Sequence, residues 1–418
     1  MVRTSLEEFR PTDQALTYLL STEGAALLEE LAAAGLGEAD LLAQTTRLRK
    51  RYPRDVVAAA LDLALLRERA RRKFTRASQM VFTREALEQA SAEVVSRYRA
   101  RRYAGYPGVV DLCCGIGGDA LALAGQGDVL AVDLDPLRLR MAAVNVAVYG
   151  HAEQLRTACA DVRTCELPAG YALWADPSRR VGGRRVFSVL QYEPPLPQLL
   201  ARAAHPPGAG IKLSPGVDYA ELASLLGDAA YEVEIISVRG EAREAVLWLG
   251  EQVTTRRRAT LLPGTPTLSA APTLSAARTL TERPLPEPVP VKAVGCYLYE
   301  PDAAVIRAHL VEHLATDAGL HKIDPQIAYL SSDALIETPF ATAYQVEEVM
   351  PFGLKRIRAR LRALDTGELV IKKRGIGVDP AQFRRQLKHK GGHGERTVLV
   401  LTRVHDRPTA LICRPVEA

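Results

Sequence analysis

The sequence predicts an α/β chain: a parallel sheet carrying a nucleotide-type site, with a helical segment before it and a smaller α+β region after it. Three observations carry this expectation. An apolar strand at residues 109–112 runs straight into a glycine-rich turn, short apolar runs end one after another in an acid, and basic charge concentrates beyond residue 353.

The turn comes first. A buried strand that swings into a helix near Gly117 needs Gly115, Gly117 and Gly118, because only a backbone without side chains can pass close to a ligand there. The next apolar run, residues 129–132, ends in Asp133, whose carboxylate can accept from both hydroxyls of a ribose. Residues 155–160 then lead to Asp161, and residues 172–175 to Asp176 and Pro177. The turn also fits the dinucleotide pattern G-x-G-x-x-A, a weak signal by itself. Asp111 tips the balance, since a carboxylate just before the turn repels a pyrophosphate but suits a ligand carrying an ammonium and a sulfonium.

The flanking regions follow from periodicity and charge. Residues 24–36 and 56–66 repeat apolar positions at helical spacing, and three basic clusters (47–54, 67–76, 97–102) punctuate a first hundred residues without strand signals. Each cluster reads equally as a solvated helix face or as a nucleic-acid surface. Beyond Asp176, residues 210–215 read as a fifth strand, 218–226 as a helix, and 232–238 with 245–249 as a closing antiparallel pair. Residues 251–291 are rich in Pro, Thr, Ser and Ala, with Pro-Thr-Leu-Ser-Ala-Ala in tandem at 266–277, and read as a linker. Residues 353–416 hold 16 Lys+Arg against 5 Asp+Glu, a balance of +11 in a chain whose total is +5. There the pattern gives helices at 354–364 and 380–390 and strands at 369–374, 397–403 and 410–413. The expected division is therefore 1–104 helical, 105–250 sheet domain, 251–291 linker and 292–418 basic region, with its compact part at about 338–416.

Composition narrows the classes. At 418 residues and 47% apolar content the chain can bury two or three cores. It begins without an apolar signal core and holds no run of about 18 apolar residues, so a cytoplasmic location away from membranes is expected. Six cysteines without a C-x-x-C pair or Cys/His ligand spacing argue against a structural metal.

Together, Gly115 to Gly118, Asp133-Leu-Asp135-Pro136 and Asn145-Val-Ala-Val-Tyr149-Gly150 resemble motifs of class I S-adenosylmethionine-dependent methyltransferases. The likeness is greatest to trimethylguanosine-synthase-like RNA enzymes. It implies a Rossmann-like sheet and S-adenosyl-L-methionine held by Asp111, Gly115, Gly117, Gly118, Asp133 and Asp161. Residues 82–91 resemble the helix that roofs the cofactor in those enzymes. The basic C-terminal region resembles the THUMP-like domains of RNA-modifying enzymes, which implies an RNA partner, rRNA or tRNA. Residues 321–325 and 339–344 resemble the tails of bacterial methyltransferases with such domains. Lys372, Lys373, Arg374, Arg384, Arg385 and Lys388 are the expected phosphate contacts.

Asp176-Pro177-Ser178-Arg179 is the expected catalytic motif. Related enzymes that methylate planar amines carry D/N-P-P-aromatic here, because the amine lone pair is delocalised into the ring. Hydrogen bonds from its N–H groups to the acid orient the nitrogen and free that lone pair. Ser178 replaces the second proline and Arg179 the aromatic; an arginine plane can itself stack on a base or pin a phosphate. A base nitrogen such as guanine N2 is the first expectation. Lys212, with Asp176, Lys73 and Glu241, leaves ribose 2′-O-methylation open, and a small-molecule or protein methyltransferase would share every cofactor residue. A pyrimidine carbon-5 mechanism needs a nucleophilic cysteine, and none lies beside the motif.

Overall fold

The structure is a computed structural model describing residues 11–35, 37, 40–181, 184–264, 276–389 and 391–416, with side-chain surroundings omitted at 180–185. Its contacts divide the chain into two units. The first comprises Met1–Tyr231, Val246–Val253 and Pro263–Ser275; the second comprises Glu232–Ala245, Thr254–Leu262 and Ala276–Ala418.

The first unit opens with six helices: Asp13–Leu19, Thr22–Ala33, Leu41–Leu48, Arg54–Ala70, Arg84–Gln89 and Glu93–Ala100. Side-chain oxygens of Thr12, Ser21 and Thr83 accept from Ala15, Gly24 and Ala86 N–H groups, so three of these starts are capped in the usual way. The 17-residue helix Arg54–Ala70 buries Val56, Val57, Ala60, Leu63 and Leu66, the stripe its periodicity predicts. Two of the basic clusters are largely spent inside the unit. Arg67 donates to the Met80 carbonyl, and burial lowers its pKa to about 10; Arg76 donates to the Val148 carbonyl and Arg97 pairs with Glu93.

Strands β1 (Gly108–Leu112), β2 (Asp128–Asp133), β3 (Leu155–Cys159) and β4 (Ala172–Ala175) follow. A short antiparallel pair, β5 (Arg180–Val181) and β6 (Arg184–Arg185), precedes β7 (Gly208–Leu213). Five of these lie parallel in the order β7-β4-β1-β2-β3. Strand order reverses at β1, which has β2 on one side and β4 on the other, so the ligand crevice of an open α/β sheet belongs beyond their carboxyl ends. β1 and β4 are buried along their whole length, hence their unbroken apolar runs. β7 needs Gly210: a Cβ there would stand 2.6 Å from both the Trp248 ring and the Tyr103 hydroxyl.

β8 (Tyr231–Val238) turns into β9 (Glu241–Gly250) through Arg239 and Gly240, both at positive φ (54° and 78°), as a two-residue hairpin requires. β10 (Arg257–Leu262) runs parallel to β8, and β11 (Arg278–Thr281) antiparallel to β10. These strands correct the linker reading of 251–291. Arg258 pairs with the fully buried Glu232, and Thr260 donates to Glu234 at 2.6 Å, so polar residues that read as linker close a ladder instead. The tandem repeat at 266–277 lies almost wholly outside the described residues.

The rest of the second unit is a seven-stranded sheet: β12 (Tyr297–Pro301), β13 (His321–Lys322), β14 (Leu330–Ser332), β15 (Ala341–Pro351), β16 (Leu369–Lys373), β17 (Thr397–Val404) and β18 (Arg407–Pro415). Its order is β13-β14-β12-β15-β18-β17-β16. Alternate residues of β17 face two cores. Leu399 and Leu401 pack with Ile357, Leu361, Phe383 and Leu387 of helices Leu354–Ala363 and Pro380–Leu387, while Val398 and Val400 pack with Leu298, Tyr329 and Tyr344. The sheet curls strongly. β12 and β16 stand four strand spacings apart, about 19 Å if flat, yet Lys372 Nζ reaches Glu300 Oε2 at 2.5 Å. Among the described residues no helix is long and apolar enough to cross a membrane.

Candidate active site

The site grows from the end of β1. Asp111 is fully buried, and neither carboxylate oxygen has a hydrogen-bond partner. Burial pushes its pKa well above the ordinary carboxylate range; Asp119, Asp176 and Asp133 push the same way, and Arg99 opposes them. A buried orphan acid is costly unless a ligand pairs with it. The turn beyond it is strained toward a purpose, with Cys113, Gly115 and Gly117 at φ of 61°, 54° and 79°. A Cβ on Gly117 would sit 3.0 Å from Ala142, so that glycine serves close packing, whereas nothing lies within 4 Å of the Cβ position of Gly115. Gly118 faces Ala90 and Ser91, just past helix Arg84–Gln89, which brings the expected roof segment against the turn. The regular helix starts later than expected, at Ala120.

Asp133 ends β2 and braces the turn. Its Oδ2 accepts from the Gly115 N–H at 2.9 Å and its Oδ1 from the Asp135 N–H at 3.0 Å, which leaves each oxygen a second lone pair for a ribose hydroxyl. Leu134, next to it, is 67% exposed and offers apolar surface suited to a flat ring. Asp135 caps helix Pro136–Val148. From that helix Asn145 bonds both backbone groups of Val81 and the Ile116 carbonyl, tying the helical segment to the turn. Asp161 lies apart from this cluster in character: Arg163 grips it at 2.5–2.9 Å and lowers its pKa to about 2.

Across the crevice, the Asp176 N–H donates to the Leu112 carbonyl, and Asp176 Oδ2 accepts from Lys212 Nζ at 2.6 Å. Lys212 on β7 is 3% exposed and also donates to Ser91 Oγ at 2.8 Å. Pro177 is buried, Ser178 pairs through its backbone with Glu193, and the Arg179 carbonyl accepts from the Val186 N–H. The Arg180 side chain lies outside the described surroundings. The ribose tetrad does not form as expected. Lys73 donates to the carbonyls of Leu87, Glu88 and Ala90, closing the end of helix Arg84–Gln89, and Glu241 pairs with Arg243 in the second unit.

Sequence reading missed Asp119, directly after Gly118. It accepts from Arg99 at 2.5 Å, Ser96 at 2.8 Å and the Trp174 indole at 3.1 Å, with the Arg99 guanidinium 4.2 Å over the Trp174 ring. Burial raises its pKa, but Arg99, then Lys212, outweigh that and hold it below the ordinary value. Burial raises the Cys113 and Cys114 thiols well above theirs, which suits packing and not nucleophilic attack.

In the second unit the six expected phosphate contacts separate. Lys372 and Arg374 are drawn to Glu300, at 2.5 and 3.8 Å, and Arg384 donates to the Leu369 carbonyl. Lys373, Arg385 and Lys388 are exposed.

A family model described as RNA cap guanine-N2 methyltransferase matches residues 107–194, one described as THUMP domain-like matches 341–415, and a domain of unknown function matches 13–70. Two uncharacterized S-adenosylmethionine-dependent methyltransferases of Mycobacterium tuberculosis, from strains CDC 1551 and H37Rv, are each 37% identical over 369 residues, 85% of this chain and 96% of theirs. The chain belongs to the S-adenosylmethionine-dependent methyltransferases. A crystal structure of a candidate methyltransferase from Porphyromonas gingivalis W83 shares the fold, with a TM-score of 0.69 at 21% identity, covering 91% of this chain and all of that one. The methyltransferase uses S-adenosylmethionine. Its residues fit that cofactor: the orphaned Asp111 calls for a cationic partner, and the space over Gly115 leaves room for one.

Proposed function

We propose that this methyltransferase acts on RNA, at a base nitrogen, with guanine N2 first. The observation that carries the reading is Asp176, which is fixed through Oδ2 by Lys212 while Oδ1 has no partner among the described residues. A planar amine could donate one N–H to Oδ1. Held so, its nitrogen would lie near the boundary between β1 and β4, facing Asp111 and the turn. S-adenosylmethionine, when bound, supplies a methyl carbon on a sulfonium; the N–C bond forms as the C–S bond breaks, the electron pair stays on sulfur, and one proton remains to be removed. Asp176 Oδ1 takes that proton. Lys212 holds that carboxylate in place through its other oxygen. Asp111, Gly115, Gly117, Gly118 and Asp133 hold the cofactor in this reading, with Asp161 and Arg163 at its edge.

Support for RNA comes from the cap guanine-N2 and THUMP-like matches and from the +11 balance of residues 353–416. A small substrate has no use for that charge. Ribose 2′-O-methylation is disfavoured because Lys212 is buried and donates to Asp176, whereas a base needs a free lone pair. The test is mass spectrometry of modified nucleosides in RNA from cells with and without the protein. Asp176→Ala should bind the cofactor yet restore no modification, and restoration by this variant would remove Asp176 from its role.

A further inference from the structure

The motif Asp176-Pro177-Ser178-Arg179 lacks the aromatic that such motifs use to stack on a base, and the loop it opens supplies one further along. Phe187 is 73% exposed, the one aromatic among the described residues with large apolar exposure. Leu134, directly after the carboxyl end of β2, is exposed as well. An open α/β sheet takes its ligands beyond the carboxyl ends of such strands.

The chain on both sides of Phe187 is anchored. Ser178 and Glu193 exchange both backbone hydrogen bonds at 2.9 and 3.0 Å, closing its base. The Val186 N–H donates to the Arg179 carbonyl at 2.9 Å, which fixes the residue before Phe187 opposite the motif. On the other side Ser188 Oγ and the Val189 N–H both donate to Glu221, and the buried Tyr192 hydroxyl accepts from Ser214. A ring in a slack loop would fold back onto apolar surface; this one is bracketed by anchors at 186, 188 and 189 and stays in water. Arg179 lies three residues from Asp176, at most about 10 Å along an extended chain, and Val186 is hydrogen-bonded to Arg179, so Phe187 belongs to the same strand-end loop as Asp176.

We propose that Phe187 is the stacking face for the acceptor purine and so a specificity-determining residue of the transfer. The proposal rests on the RNA-base reading above. The pieces match one ligand chemistry: Asp176 Oδ1 for an exocyclic amine and a flat apolar ring for the heterocycle. A protein side chain would use the ring but not the acid at amine distance.

The test uses the full chain saturated with S-adenosylhomocysteine and a single-stranded oligouridine RNA whose one purine, at its centre, is 2-aminopurine. That base carries the 2-amino group and loses fluorescence when stacked. Anisotropy of a terminal dye reports RNA binding separately. The wild type and Phe187→Tyr should bind the RNA and quench the purine. Phe187→Ala should lose the quenching and bind the purine-containing RNA roughly 5- to 150-fold more weakly, the range expected for one base stacked on an aromatic ring. Cofactor affinity and thermal midpoint should not move, since the side chain is mostly in water. Equal quenching by Phe187→Ala, or a wild type that binds RNA without quenching, overturns the assignment of Phe187 alone. A wild type that binds no RNA at all overturns the RNA reading, and this proposal with it.

Discussion

Lys212 Nζ stands 2.6 Å from Asp176 Oδ2 with the lysine 97% removed from solvent, so a side chain of β7 sets the orientation of the acid that closes β4. Its second bond, to Ser91 Oγ, links that orientation to the segment lying over the glycine turn. Removing the lysine leaves a carboxylate free to rotate. A charge-assisted hydrogen bond contributes about 1.5 to 3 kcal/mol, so Lys212→Met should lower kcat roughly 10- to 150-fold. The cause should show in what does not change: affinity for S-adenosylhomocysteine and the thermal midpoint should hold, because only the orientation of Asp176 is lost. Loss of rate accompanied by a matching loss of cofactor affinity or of thermal midpoint would make Lys212 a packing residue only.

Cofactor binding should release a proton. In the free protein Asp111 is orphaned by burial, and its pKa stands above the unfolded value of about 3.9. Between that value and the raised one, the folded protein holds a proton that the unfolded chain has shed, so this group withdraws stability as pH rises through the window. An ammonium beside it reverses the balance and favours the ionised form. Calorimetric titration in buffers of different ionisation enthalpy should show proton release within this window and affinity rising with pH. Asp111→Asn should abolish both effects.

The Arg99–Asp119 pair should matter more for stability than for catalysis. Both side chains are buried, and the pair joins helix Glu93–Ala100 to the turn and to Trp174 of β4. Asp119→Ala removes the carboxylate from a buried charge pair, which should cost about 3 to 5 kcal/mol. Because the folded pKa of Asp119 is depressed, its contribution is complete above the unfolded value of about 3.9 and is lost as pH falls through the lowered one. Denaturant titration at neutral pH and at pH 3 checks both statements; a loss under 1 kcal/mol at neutral pH would show that the pair is not needed for the fold.

What the sequence showed plainly was whatever local physics enforces. The strand-turn core at Asp111 to Gly118 and the acid at the end of β2 need particular residues at particular steps, and the structure has them there. Contacts made across the chain were silent. Nothing near Ser91 announces Lys212, 121 residues later, and nothing near Lys372 announces Glu300. Charge was misread for the same reason: Arg67, Arg99 and Lys372 look like surface cations in a list of residues but are held by partners only the fold supplies. β10 and β11 were hidden by composition, since Thr-rich runs beside prolines read as linker until a neighbouring strand pairs with them.

The charge of the second unit yields the last prediction, once internal pairs are set aside. Lys372 and Arg374 serve Glu300 and with it the curl of the sheet, so replacing them should lower thermal stability and report little about RNA. Lys373, Arg385 and Lys388 are exposed and remain available to phosphates. Each phosphate contact on a single strand adds about 0.7 to the slope of log affinity against log salt, so changing all three to Gln should flatten that slope by about 2. The thermal midpoint should hold, because none of the three lies in a core. An unchanged slope in a folded triple variant would move the RNA surface elsewhere, first to the exposed Lys50, Arg51 and Arg54 of the N-terminal helices.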